Sequence, residues 1–583
     1  MNAARLLKHY EQIADAPDAI ARLRRFVLDL AVRGKLVPQD ANDEPASELL
    51  KRIAEERARL VKAGEIRKPK ATSPEYDGEL AFAVPSGWVV ARLDDLSPRS
   101  LSDGDWIETK DQSENGGVRL IQLADVGVGK FLNKSARYIT EDTEIRLNCT
   151  RLAVGDVLIA RLPNPIGRAC IFPDIGQPAI TAVDVAILRP NSCVLGQFLV
   201  LAMNAPPVRE QIEAYGKGAT RFRVSTGHLK TIKIPLPPLA EQERIVAKVD
   251  ELMGLCDRLE AARADREAVR DRLAAASLAR LSTPDPDTFQ ADARFVLDAL
   301  PALTSRPDQI KALRQTILNL AVRGKLVPQD SNDEPASELL NGIRKTRKKL
   351  YAEKRIPKPK ALPSIDELDL PFAIPSGWAW SLLGDLCYQV SDGPHFSPQY
   401  VSAEEGVPFL SARNIRLGSF DLSTVKHVSR ADHEEFCKRI RPEKGDIIYT
   451  KGGTTGIAKV NDLDFEFSVW VHLAVLRIEK ARLYPRYVEL ALNSPHCYAQ
   501  SQHYTQGTSN FDLGLTRMIK ITLPLPPLAE QHRIVAKVDA LMALCDQLEA
   551  SLSATAVTRR RLLDALLAEA LAPADDRELE AAE

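Results

Sequence analysis

One stretch of 26 residues occurs twice in this chain, and it limits what the rest can fold into. Residues 235–260 read PLPPLAEQERIVAKVDELMGLCDRLE and residues 524–549 read PLPPLAEQHRIVAKVDALMALCDQLE, with 22 of 26 positions identical and the copies starting 289 residues apart. In both, proline-rich sequence runs into a helix, with Pro238 and Pro527 in or just before the first turn, where a missing N–H costs little. Ile245, Val249, Leu252, Cys256 and Leu259 then fall at heptad-like spacing, and Ile534, Val538, Leu541, Cys545 and Leu548 repeat the seam. Val246, Met253 and Leu255, with Val535, Met542 and Leu544 in the second copy, lie off that seam and are candidates for contact with another subunit. A buried core helix is the plain alternative.

The duplication extends along the chain. Residues 31–50 (AVRGKLVPQDANDEPASELL) return as 321–340 with 19 of 20 positions identical. Ahead of them, Ile20, Leu23, Val27 and Leu30 form a helical stripe matched by Ile310, Leu313, Ile317 and Leu320. Gly34 and Gly324 stand where a helix C-terminus wants a left-handed residue. A second short helix is expected from near Pro45 and Pro335. Its sequel in the second copy carries nine Lys/Arg against one Glu over residues 344–360, either a solvated helix face or a phosphate-contacting one. Tryptophan-marked segments follow, FAVPSGWVVARLDDL (82–96) and FAIPSGWAWSLLGDL (372–386), after which register persists but identity collapses. The divergent stretches mix short β-like runs such as VGDVLIAR (154–161) and KGDIIYTK (444–451) with helices near 195–204 and 485–493.

The expected organisation is a helical arm (1–80), a globule (81–234), a long helix (235–283), a second arm (284–370), a second globule (371–523), a second long helix (524–573) and an acidic tail (574–583). The fold class is mixed α+β: a tandem pseudo-twofold repeat of two α/β globules separated by two long antiparallel helices with short helical arms. At ~1.5 Å per residue, a helix from Leu239 to Leu281 is on the order of 64 Å long.

A net charge of −1 confines nucleic-acid binding to local basic patches. The eight cysteines show no C-x-x-C spacing, the N-terminus lacks the apolar core of a signal peptide, and no run approaches about 18 apolar residues. A cytoplasmic protein with no membrane association is expected. No phosphate-binding G-x-x-x-x-G-K-[ST] loop occurs, nor an N-P-P-[YFW] adenine-methyltransferase motif, nor H-E-x-x-H. The residues therefore indicate a binding protein with no catalytic residues, no metal site and no cofactor of its own. A self-sufficient methyltransferase or nuclease, and a protein scaffold without DNA recognition, are the alternatives.

The duplicated LPLPPLAEQ-x-RIVAKVD, the LAVRGKLVPQD-x-NDEPASELL arms and the PSGW segments together resemble the specificity (S) subunits of type I restriction–modification systems, over essentially the whole chain. The resemblance implies that each globule is a target recognition domain reading one half of an asymmetric bipartite site in double-stranded DNA. It implies two methyltransferase (M) subunits docked on the helical regions and restriction (R) subunits in the full complex. S-adenosylmethionine would then belong to M, and ATP and Mg²⁺ to R. Base readout uses Arg or Lys for guanine and Asn or Gln for adenine. The candidate DNA-contacting residues in the first globule are accordingly Arg161, Asn164 and Arg168 after the VLIA strand, then Thr220, Arg221, Arg223 and Lys230. In the second they are His395, Arg413, Asn414, Lys451, Thr454 and Thr455, then Thr508, Ser509 and Asn510.

Overall fold

A computed structural model describes residues 15–66, 80, 82–218, 222–282, 285, 287–365, 368–508 and 511–571. The acidic tail and the candidates Thr220, Arg221, Ser509 and Asn510 lie outside the described residues. The chain divides into two compact units, residues 1–265 with 556–583, and residues 266–555. The fold is α+β in both.

In the first unit the arm consists of two helices, Ala19–Val32 and Ala46–Lys62. The alanine-, leucine- and arginine-rich composition favours helix, and Gly34, at φ +67°, turns the chain after the first one. A Cβ on Gly34 would stand 2.4 Å from Pro85 Cγ, so both the conformation and the close approach require glycine. The N-terminus of the second arm helix is satisfied from outside, because Ala46 N–H donates to Gly87 O at 3.1 Å.

The globule opens and closes on one antiparallel pair, Val89–Arg92 against Lys233–Leu236, so the tryptophan segment and the proline-rich lead-in lie side by side. Between them are two small sheets. Ser102–Asp103, Val185–Leu188, Val157–Ala160 and Ala169–Ile171 form one, in that order and antiparallel throughout. Tyr138–Ile139, Val118–Ile121 and Ala179–Thr181 form the other. The long helix Leu239–Ser282 starts directly after Pro238, whose carbonyl accepts from Gln242 N–H at 2.9 Å. Its first turns share a core with the arm and the globule: Ile245 and Val249 pack in one cluster with Val27, Leu49, Trp88, Phe198 and Ile234. Cys256 is buried as the seam requires, while Leu259 is exposed.

The second unit repeats this plan with arm helices Pro307–Val322 and Ala336–Ala352, a closing pair Ala379–Leu382 with Thr522–Leu525, and a long helix Leu528–Leu571. One sheet is ordered Cys387–Asp392, Leu473–Ile478, Ile447–Thr450, Ala458–Val460, and the other Tyr400–Val401, Lys426–Val428, Val407–Leu410, Ser468–Val469. Helices Pro206–Ala214 and Pro495–Tyr504, each beginning on proline, continue the helices expected near 195–204 and 485–493.

Each long helix spans 44 residues, and its distal end packs on an arm. Within the second unit, Arg306 pairs with Glu267 at 2.9 Å and Asp271 at 2.5 Å, and Ala274 and Leu281 cluster with Val296 and Leu320. Within the first unit, Asp564 pairs with Arg22, and Leu563 and Leu566 pack on Ala16 and Ala19.

Candidate nucleic-acid interface

The repeated motifs meet in a polar knot in each unit. Buried Glu241 accepts from Trp88 Nε1 at 2.9 Å and from Gln39 Nε2 at 2.7 Å. Glu530 accepts from Trp378 Nε1 at 2.9 Å and from Gln329 Nε2 at 2.7 Å. Desolvation raises the pKa of both carboxyls. The next residue completes the lock. Gln242 donates to Pro237 O at 3.0 Å and accepts from Leu195 N–H at 2.9 Å; Gln531 does the same with Pro526 O at 3.0 Å and Tyr484 N–H at 2.8 Å. Arg244–Asp43 and Arg533–Asp333, both at 2.6 Å, clamp the arm loop. Thus LVPQD, PSGW and LAEQ are near-identical between units because each supplies one side of a buried hydrogen-bonded joint.

At one end of each globule, loops of different sequence surround a common frame. In the first, Arg161, at the end of the Val157–Ala160 strand, is buried. It pairs with Asp103 and donates to Val224 O at 3.1 Å and Val183 O at 3.0 Å. Asp103 also accepts from Thr226 Oγ1. Residues 102–106, 161–167, 181–185 and 222–226 are thereby drawn together. In the second globule the equivalent Lys451 is buried between Asp512 (3.0 Å) and Asp392 (3.5 Å), and Asp392 also binds Arg439 at 2.8 Å and His395 at 3.1 Å. Val224 N–H donates to Arg161 O at 3.1 Å, and Leu513 N–H to Lys451 O at 2.7 Å, so the backbone frame is the same.

The frame reassigns several of the side chains expected to contact DNA. Arg161 is not a free base reader, since its guanidinium is committed to Asp103 and two carbonyls. Arg168 is likewise buried, giving its donors to Val126 O (2.6 Å), Leu123 O (2.7 Å), Pro165 O (3.1 Å) and Leu162 O (3.2 Å). Burial lowers the pKa of both guanidinium groups. Asn414 is buried in a 3₁₀ turn, accepting from Ser411 N–H at 2.9 Å and donating to Asp421 O at 2.9 Å. Thr455 is buried against Thr505 at 3.0 Å. Lys230 donates to Ser100 Oγ at 2.7 Å, and Arg223 is half-buried, 3.6 Å from Asp184. Asn164, His395, Arg413, Thr454 and Thr508 are exposed.

Exposed aromatic residues on these loops did not figure among the candidates. Phe222 (38% exposed) and Phe511 (50%) occupy positions 289 apart, and Gly453 N–H donates to Phe511 O at 3.0 Å, placing Phe511 beside the 451–456 loop. Trp106 (69%) stands where the second globule has His395. The repeat offset that aligned the scaffold also aligns these pairs, and applying it to the divergent loops would have found them.

The candidate subunit contacts also separate. Leu255 and Leu544 are exposed, at 40% and 54%, in equivalent places. Val246, Met253 and Met542 are half-buried against their own unit's core. Val535 is buried within that core, which removes it as a surface contact.

Residues 85–266 and again 375–556 match the family described as the type I restriction modification DNA specificity domain. The chain is 32% identical over 563 residues to the type I restriction enzyme EcoAI specificity subunit of Escherichia coli, covering 94% of this chain and 93% of that one. To the EcoEI specificity subunit of the same organism it is 30% identical over 570 residues, covering 95% and 94%. A solved structure described as the structural basis of complex assembly and conformational transition of the type I R-M system shares the fold. Its TM-score is 0.50 at 19% identity, covering 84% of this chain and 99% of that one. The chain belongs to the specificity subunits of type I restriction–modification systems, their non-catalytic DNA-recognition members, and carries two copies of the specificity domain.

Proposed function

We propose that the chain reads an asymmetric, bipartite DNA site, one globule to each half, and scaffolds two methyltransferase subunits, with restriction subunits in the larger complex. The observation that carries this reading is a pair of loop clusters of unlike chemistry on one frame. Trp106, Asn164, Phe222 and Arg223 edge the first, while His395, Thr454, Thr508 and Phe511 edge the second. Polar side chains there suit base edges, and the exposed rings suit thymine methyl groups or sugars. The near-identical first turns of the long helices offer two equivalent docking surfaces, with Leu255 and Leu544 at their exposed apolar points. The long helices act as the spacer: 44 residues correspond to ~66 Å at ~1.5 Å per residue, enough for half-sites about 34 Å apart, one duplex turn. Among the described residues no helix is long and apolar enough to cross a membrane, and we assign the complex to the cytoplasm.

The experiment is methylome sequencing of cells expressing this chain with its methyltransferase partner. Two unlike short sequences separated by unread base pairs are expected. Exchanging residues 85–233 for another globule should alter one half-site and leave the other intact. Methylation of a continuous palindrome, or methylation independent of this chain, overturns the reading.

A further inference from the structure

The two arms are near-identical where they face inward and differ in charge where they face outward. Helices Ala46–Lys62 and Ala336–Ala352 keep the same buried residues, Leu49 with Leu339 and Ile53 with Ile343. They also keep one inward arginine. Arg57 donates to Ser97 O at 2.5 Å, and Arg347 to Gly384 O at 2.7 Å. At the outward positions, Ala54, Glu55, Ala58, Gly64 and Glu65 of the first arm become Arg344, Lys345, Lys348, Lys354 and Arg355 in the second. These cations are exposed, as are Lys349, Lys358 and Lys360. Glu353 is the one acidic residue in the run, and it lies 3.9 Å from Lys349 and 3.5 Å from Arg355. Arg344, Lys345, Lys348 and Lys354 form no ion pair among the described residues.

One of these replacements opposes folding. Gly64, at φ +75°, ends the first arm's helix in the left-handed conformation that glycine tolerates. Lys354 occupies the same position at φ +55°, where an L-residue is disfavoured by roughly 1 kcal/mol. A lysine held in a glycine conformation, in the stretch where the second arm gains its cations, points to a role outside folding.

We propose that the outer face of the second arm, from Arg344 through Lys360, is a sequence-independent phosphate-binding surface that grips the DNA backbone, more strongly cationic than the first arm, where Arg59 and Lys62 stand among Glu55, Glu56 and Glu65. The proposal rests on the DNA-recognition reading above. Duplex DNA carries about one charge per 1.7 Å of axis, so an exposed cationic helix face some ~18 Å long meets several phosphates. A protein ligand fits less well. Protein interfaces are depleted in lysine and built on apolar anchors, and the large apolar side chain exposed on this face is Tyr351.

The test transplants the first arm's residues onto the second: Lys345→Glu, Lys348→Ala, Lys354→Gly and Arg355→Glu in the full chain assembled with its methyltransferase partners. These residues already occupy the equivalent helix, so the fold is expected to survive, and thermal melting checks it. Binding is titrated across a salt series on one duplex bearing the methylated site and one lacking it. Affinity for both duplexes should fall by the same factor, about 10-fold or more, and the log–log salt slope should become shallower by about 0.9 for each phosphate no longer neutralised. Unchanged slopes on both duplexes overturn the proposal. Loss of partner co-purification with unchanged DNA affinity assigns the face to an acidic protein and overturns it too, as does a loss confined to the site-bearing duplex, which would make the face a sequence reader. Failure of the wild-type assembly to prefer the site-bearing duplex would overturn the recognition reading, while the slopes on the plain duplex still decide the patch.

Discussion

Trp88 donates its indole N–H to Glu241 at 2.9 Å across 153 residues of sequence, and that bond joins the start of the globule to the start of the long helix. Its counterpart, Trp378 to Glu530, has the same length. Trp88→Phe should therefore destabilise the first unit by about 1–3 kcal/mol, because a buried carboxyl loses one of its two donors. Chemical denaturation should show the loss, and the second unit should be unaffected.

The same carboxyls predict a pH dependence. Burial raises both above the ordinary 4.5, so the folded chain holds these protons more tightly than the unfolded chain. The stability they contribute is full below about 4.5 and falls as pH rises through the raised value. The double variant Glu241→Gln/Glu530→Gln, whose side chains stay neutral, should lose this part of the slope. Melting temperatures at several pH values above 4.5 measure it.

Arg161 and Lys451 are buried beneath the divergent loops and held by carboxylates. Lys451→Ala leaves Asp392 with Arg439 and His395 but without its buried lysine, and should cost about 2–3 kcal/mol. Methylation should weaken for sites differing in one half only. Arg161→Ala should affect the other half.

Phe222→Ala and Phe511→Ala remove exposed rings, so melting temperatures should change little. Each should lower affinity for duplex DNA by about 1 kcal/mol or more, through the loss of an apolar contact with a thymine methyl group or a sugar. Calorimetry beside a binding titration separates the two effects.

On the long helix, Leu544→Asp should leave the fold intact and weaken methyltransferase association, whereas Val535→Asp should unfold the second unit by burying an unpaired carboxylate. Gel filtration with the partner distinguishes loss of docking from loss of structure.

The scaffold was legible in the sequence because its contacts are repeated. Ile245, Val249 and Cys256 mark a buried face by their spacing, and Gly34 marks a turn by its chemistry. The loop chemistry was less legible. Arginine after a strand looks the same in sequence whether it faces a base or a carboxylate 58 residues away, and Arg161 faces Asp103. Asn414 is spent within its own turn. Burial decides these cases, and it depends on strand order, which local pattern does not encode. Lys354 is the opposite case: its departure from the Gly64 pattern is visible in sequence, but its meaning needs the backbone angle.

Arg22 and Asp564 lie 542 residues apart, yet belong to one unit, while residues 266–555 form the other without interruption. That difference sets an order of events during synthesis. At about 5–20 residues per second, the second unit can close while translation continues, but Ala16 and Ala19 wait roughly half a minute to two minutes for Leu563 and Leu566 to emerge. The unit whose chain is started first is therefore the last to be finished, and in the interval its arm presents an uncovered apolar surface to the ribosome's surroundings.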